Sequence, residues 1–236
     1  MVSGLLNTLT NLKELMPTKK KFCFVSCAFD DERYITQQDR LRESILAMYP
    51  DANIIFNRGR VADGSLPMAD SLYGFKPHAI NNQWNDYDYV IWVDPAMVLQ
   101  ADLNPLFDIT DANEGVYAVK DDNLLANTTS ELCLDYFGLK KETVLNLGFH
   151  LVGGSLYVFN TNLPKANQVF RDWYNAELQG IFGTQAQAQS ERINGHRNDE
   201  TCMAFAMYTN QLHPIDCDKA RYGNGQDSFF KKLHFK

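Results

Sequence analysis

A chain of 236 residues with 45% apolar and 22% charged residues can bury a substantial core and is not disordered as a whole. Its net charge of −7, with no long Lys/Arg tract, argues against nucleic acid as the main partner. No apolar run reaches the ~20 residues of a membrane-crossing helix, and Met1 to Leu6 has neither the basic nor the apolar region of a secretion signal.

Five cysteines, Cys23, Cys27, Cys133, Cys202 and Cys217, are odd in number and scattered. Reduced thiols in a cytoplasmic protein are the expectation.

In chain order, Leu5, Leu9, Leu12 and Met16 recur at helical spacing behind Ser3 as N-cap, so residues 1–20 are predicted as an amphipathic helix and lead-in, ended by Pro17. Residues 21–236 show no linker and no repeat, and read as one domain. Phe22 to Phe29 is a continuous apolar run, expected as a buried first strand with Cys23 and Cys27 on one face. Asp30 and Asp31 would cap a helix whose apolar face is Leu41, Ile45 and Met48. Asn53–Phe56 follows as a second strand, and this strand–helix–strand order favours a parallel crossover.

A helix over Ser71 to Asn81 leads to a strand over Tyr87 to Val93. Further strands are expected at Gly115–Val119 and Ser155–Phe159, and a helix from Pro164 with Val169, Phe170 and Trp173 buried. Gly180 to Ser190 is small and polar, and reads as a mobile loop or weak helix over a site. Asn198 would cap a helix from Asp199 to about Thr209.

The run Tyr87-Asp88-Tyr89-Val90-Ile91-Trp92-Val93-Asp94-Pro95-Ala96 carries most of the functional information. A buried strand delivers one carboxylate, Asp94, to its carboxyl end, where open α/β sheets bind ligands. Asp102 reads as the N-cap of the following turn. Asp199 and Glu200 fall in the first turn of a helix, whose dipole favours their ionised form. They diverge by about 100° around the helix axis, so one of the two is expected to face the site.

The strand ending in Asp94 resembles the acidic motif of the GT-A glycosyltransferases, which transfer a sugar from a nucleotide diphosphate. Their usual motif is Asp-x-Asp, and here Ala96 stands in the second acidic place. The resemblance continues in the same order from Phe22 to His234, through weak individual motifs. It implies a single GT-A domain: α/β, Rossmann-like, with a mixed, mostly parallel central sheet flanked by helices. Ser26 and Phe29 of the first strand would approach the base. Lys76, within Ser71 to His78, would offer positive charge to the diphosphate. Gly153 and Gly154 resemble the Gly-rich strand start of glycogenin-like and blood-group-transferase-like enzymes, where a sugar comes close to the backbone. Asp199, with Glu200 close behind, matches the acidic helix start that contacts sugar and acceptor in those families. His234 matches a C-terminal metal-binding histidine.

The implied activity is transfer of a hexose from a UDP-linked donor to a glycan, lipid-linked sugar or protein acceptor. The implied cofactor is Mn²⁺ or Mg²⁺, held by Asp94 and His234 with diphosphate oxygens and waters. Alternatively, Lys76 and helix N-termini replace the metal. Two other readings compete. A sugar-nucleotide pyrophosphorylase needs a Gly-rich basic loop after the first strand, where this chain has Asp30-Asp31-Glu32-Arg33. A non-catalytic carbohydrate-binding protein with a decayed transferase site would account for Ala96.

Overall fold

The computed structural model describes residues 20–29, 31–189, 195–216, 218 and 228–232. The expected N-terminal helix, Asp30, Cys217 and His234 lie outside these.

Strands β1 (Phe22–Ala28) and β2 (Asn53–Arg58) flank helix α1 (Glu32–Met48) in the chain and pair in parallel, as the alternation of elements required. Asp31 starts α1 by accepting the amide hydrogen of Arg33. Leu41 and Ile45 are buried, whereas Met48 ends the helix largely exposed. The expected helix over Ser71–Asn81 is shorter, because Tyr73 adopts φ 61° and breaks it; α2 is Phe75–Asn81.

Strand β3 (Tyr89–Val93) pairs in parallel with β1 and antiparallel with β6 (His150–Asn160), whose other neighbour is β5 (Val116–Leu124). The order is β2-β1-β3-β6-β5, so four of the five strands share one direction. Both β5 and β6 run beyond the expected strands. In consequence Gly153-Gly154 lies inside a strand, where a start had been expected.

All five residues of β3 are buried because both sheet faces are covered. Val90 and Trp92 pack toward α2, α6 (Pro164–Leu178) and α8 (Asp199–Thr209). Tyr89, Ile91 and Val93 pack toward α1 and α3 (Asn104–Ala112). A ribbon of β4 (Met97–Leu99) and β7 (Phe230–Lys232) completes the second layer. Three short helices, α4 (Glu131–Tyr136), α5 (Lys141–Leu147) and α7 (Gln185–Gln189), and a 3-10 turn over Leu125–Asn127 complete the described elements.

The chain leaves β1 to one side for β2 and returns on the other side for β3. The carboxyl ends of β1 and β3 therefore flank a topological switch point, the usual ligand crevice of open α/β sheets.

Candidate active site

At that switch point lies a cleft of about 490 Å³, lined among others by Phe29, Arg33, Tyr34, Tyr73, Phe75, Lys76, Trp92, Asp94, Ala96 and Lys232. Aromatic rings and three cationic side chains in one crevice suit a base joined to phosphates. Phe29 stands edge-on to Phe75 at 5.0 Å, and Phe75 leans on Trp92 at 5.8 Å, so the floor is rigid. Asp94 extends the line of β3: its amide donates to the Ser155 carbonyl at 2.9 Å, and its Oδ1 accepts from Trp92 Nε1 at 3.1 Å.

Behind Asp94 sits a buried charge cluster. Lys76 Nζ donates to Asp199 Oδ2 at 2.7 Å and to the Gly154 carbonyl at 3.0 Å, and lies 4.0 Å from Asp94 Oδ1. Glu200 Oε1 accepts from the Gly154 amide at 3.1 Å, and its Oε2 is 2.9 Å from Arg197 Nη2. Both acids of the α8 start turn toward Lys76 and Gly154, which meet the helix end from different sides, and neither lines the cleft itself.

Gly154 is required by close approach. A Cβ there would come within 2.9 Å of both Lys76 Nζ and Glu200 Oε1. Gly153 carries no such constraint, since a Cβ would meet only the Val119 carbonyl, at 3.9 Å. Burial alone would discharge Lys76, yet the carboxylates of Asp199, Asp94 and Glu200 outweigh it and hold the ammonium above its usual range. Burial pushes the Asp199 carboxyl up, against the pull of Lys76. Helix-dipole stabilisation of an ionised Asp199, expected from sequence, is thus outweighed by loss of water.

The start of α8 is held by side chains outside the cluster. Asn198 has φ 49°, and its Nδ2 donates to the Phe182 carbonyl at 2.6 Å, so it makes no side-chain cap. His196 Nε2 bonds the Ile181 carbonyl at 3.1 Å, and Trp173 Nε1 donates to the Asp199 carbonyl at 3.0 Å. Of the segment 180–190, expected as a mobile loop or weak helix, Gln185–Gln189 forms the short helix α7, while Ile181 and Phe182 are buried and anchor the α8 start.

Ser26 does not line the cleft: it is fully buried, on the opposite strand face from Cys27, which does. Strand alternation places one of each adjacent pair on each face. Arg33, Tyr34, Tyr73 and Lys232 line the cleft without having been singled out by any sequence motif. The described cysteines are buried and free of disulfides. No helix among the described residues is long and apolar enough to cross a membrane.

The residues described do not make a chelating site for a divalent ion. Asp94 is the only member of the expected metal set among them, Ala96 has no side-chain oxygen, and a lysine ammonium stands 4.0 Å away. No group of three or more His, Cys, Asp or Glu among the described residues is arranged to hold a metal.

Comparison with solved structures matches this architecture. The apo structure of the bifunctional glycosyltransferase WbbM superposes with a TM-score of 0.52 at 15% identity, covering 89% of this chain. The fold is that of the GT-A glycosyltransferases. The chain spans 40% of the WbbM length. A glycosyltransferase involved in glycosylation of the major capsid of PBCV-1 gives a TM-score of 0.49 at 10% identity, covering 90% of this chain and 92% of that one. Mouse xyloside xylosyltransferase 1 gives 0.48 at 9% identity, covering 90% and 97%. No protein-family profile and no curated protein matches the sequence.

Proposed function

We propose that this GT-A domain is a glycosyltransferase that moves a hexose from a UDP-linked donor to a hydroxyl of a glycan, lipid-linked sugar or protein. The observation that carries the reading is the buried cluster of Lys76, Asp94, Asp199 and Glu200 around Gly154, at the edge of an aromatic cleft on the topological switch point. Clustered ionisable groups with opposed environments are the usual mark of a reaction site.

In this reading the base and ribose lie along Phe29, Tyr34 and Tyr73, and the diphosphate meets Lys76 with Arg33 and Lys232 at the rim. Charge develops on the leaving diphosphate as the glycosidic bond breaks, and a fixed ammonium in a water-poor site opposes it without reorganisation. Asp94 and the α8 acids hold the sugar hydroxyls, and Asp199 or Glu200 aligns or deprotonates the acceptor hydroxyl. Among the described residues the positive charge in this account rests on Lys76; His234, the second expected metal ligand, lies outside them.

Release of UDP from UDP-sugars, with Mn²⁺ or with EDTA, compared between the wild type and Asp94→Ala, tests the reading. The variant is expected to stay folded and lose transfer. Wild-type turnover in the variant would remove Asp94 from the site. Ala96 favours the second reading, a carbohydrate-binding protein, which nucleotide binding without turnover would support.

A further inference from the structure

Lys76 is the second residue of a seven-residue helix whose N-cap, Gly74, offers no side-chain cap. A helix this short holds its shape by packing and not by its own hydrogen bonds. What fixes the ammonium beside Asp199 is therefore a separate question from what the ammonium does.

On the far side of α2 lies a second buried polar cluster. His78, about 200° around the helix from Lys76, bonds Glu177 Oε2 of α6 through Nε2 at 2.8 Å. Glu177 Oε1 accepts the Ser71 hydroxyl at 3.0 Å, so a single carboxylate ties both α2 and the loop before it to α6. The Tyr174 hydroxyl, on the same face of α6, bonds His78 Nδ1 at 3.3 Å. Glu177 is 4% exposed and His78 5%, and burying such groups is costly unless all are paired. Gly74 is the residue that lets the loop close on this cluster: a Cβ there would meet Glu177 Oε1 at 2.6 Å and Ser71 Oγ at 2.3 Å.

The same helix α6 also holds the other partner. Trp173, one turn before Glu177, donates to the Asp199 carbonyl at 3.0 Å. Two residues on one face of α6 thus set both ends of the Lys76–Asp199 pair.

We infer that Glu177 is a positioning residue for the donor site, which acts through Ser71 and His78 to hold Lys76 where it meets the diphosphate. This rests on the donor-site reading of Lys76, and the experiment has an arm independent of it.

The first arm measures UDP affinity by calorimetry for Glu177→Gln in the wild-type and the Lys76→Met backgrounds. Loss of about tenfold in the wild-type background, the scale of one charge-assisted contact displaced, should shrink below about twofold once Lys76 is gone. An equal loss in both backgrounds, or none in either, would overturn the inference.

The second arm needs no nucleotide. Acetic anhydride labelling read by mass spectrometry should find Lys76 protected in the wild type and acylated at least about fivefold faster in Glu177→Gln, because acylation requires the free, accessible amine. Lys20 serves as the reference lysine. Ala166→Gly, near the start of the same helix beside Gly115, lies outside the Ser71, His78 and Glu177 cluster and should leave Lys76 protected. Faster labelling in Ala166→Gly as well, or unchanged labelling in Glu177→Gln, would refute the positioning role. If the wild type binds no UDP, the donor-site reading falls and the labelling arm still decides whether Glu177 positions Lys76.

Discussion

Two lysine–aspartate clusters stand at opposite ends of the same sheet, and they differ in burial. At the amino ends, Lys20 Nζ lies 3.6 Å from Asp108 and 3.5 Å from Asp111, with the lysine side chain 35% and the acids 78% and 38% exposed. Asp111 there accepts from Tyr89 and Asn160, which pins β3 and β6 to α3. At the carboxyl ends, Lys76 and Asp199 are 6% and 3% exposed, with two further carboxylates beside them. The exposed cluster is a screened surface pair, of little energetic consequence. The buried one carries a desolvation penalty that hydrophobic side chains of similar volume would avoid. A fold has no structural need for the second arrangement, and that contrast points to chemistry at the carboxyl ends.

Removal of each lysine is the sharpest way to break the comparison. Lys76→Met should reduce donor affinity and transfer by about a hundredfold or more, the scale of a lost electrostatic contact to a developing charge. In urea titration it should also lower stability, by less than the ~3–5 kcal/mol of an orphaned buried charge, because burial already lifts Asp199 toward its neutral form. An effect no larger than that of Lys20→Met would erase the distinction.

A second test uses acid. Burial pushes His196 down to about 4 from 6.5, opposed by its bond to the Ile181 carbonyl. The unfolded chain therefore binds this proton more readily than the folded one. The stability that His196 confers is complete above pH 6.5 and is lost as pH falls toward about 4, roughly 3 kcal/mol in all. Urea midpoints at pH 7 and pH 5 should differ by less in His196→Gln, which retains a donor without a titrating ring. An unaltered pH slope would show that the α8 start is not acid-sensitive through His196.

A smaller effect is expected for Gly154→Ala. The new Cβ would push Lys76 Nζ and Glu200 Oε1 from the positions they hold, so donor affinity should fall about tenfold. The effect on the melting temperature should be smaller, because the displaced atoms are side-chain ends and not backbone. Last, Lys20→Met should cost under about 1 kcal/mol in denaturant titration and leave turnover untouched.

Much of the fold was legible because its signals are local. The apolar run into Asp94, Pro164 at the head of α6 and Asp199 at the head of α8 each announce an element within a few residues. The cluster was legible only as separate members. Lys76 and Asp199 are 123 residues apart, and Ser71 and Glu177 are 106 apart. No spacing rule connects such pairs; the sheet order does. Ser26 was misplaced for a related reason: alternation shows that Ser26 and Cys27 face opposite ways, and only the layering decides which faces the cleft. Tyr73 could not be read as a helix breaker, because positive φ at a tyrosine leaves no mark in the sequence.

The most direct test of the central claim is calorimetric titration of UDP into the wild type, Lys76→Met and Lys20→Met under identical buffer conditions. Binding by the wild type and by Lys20→Met, weakened about a hundredfold in Lys76→Met, is the predicted result. Equal binding by all three proteins, or none by the wild type, would contradict the assignment of the carboxyl-end cleft as the donor site.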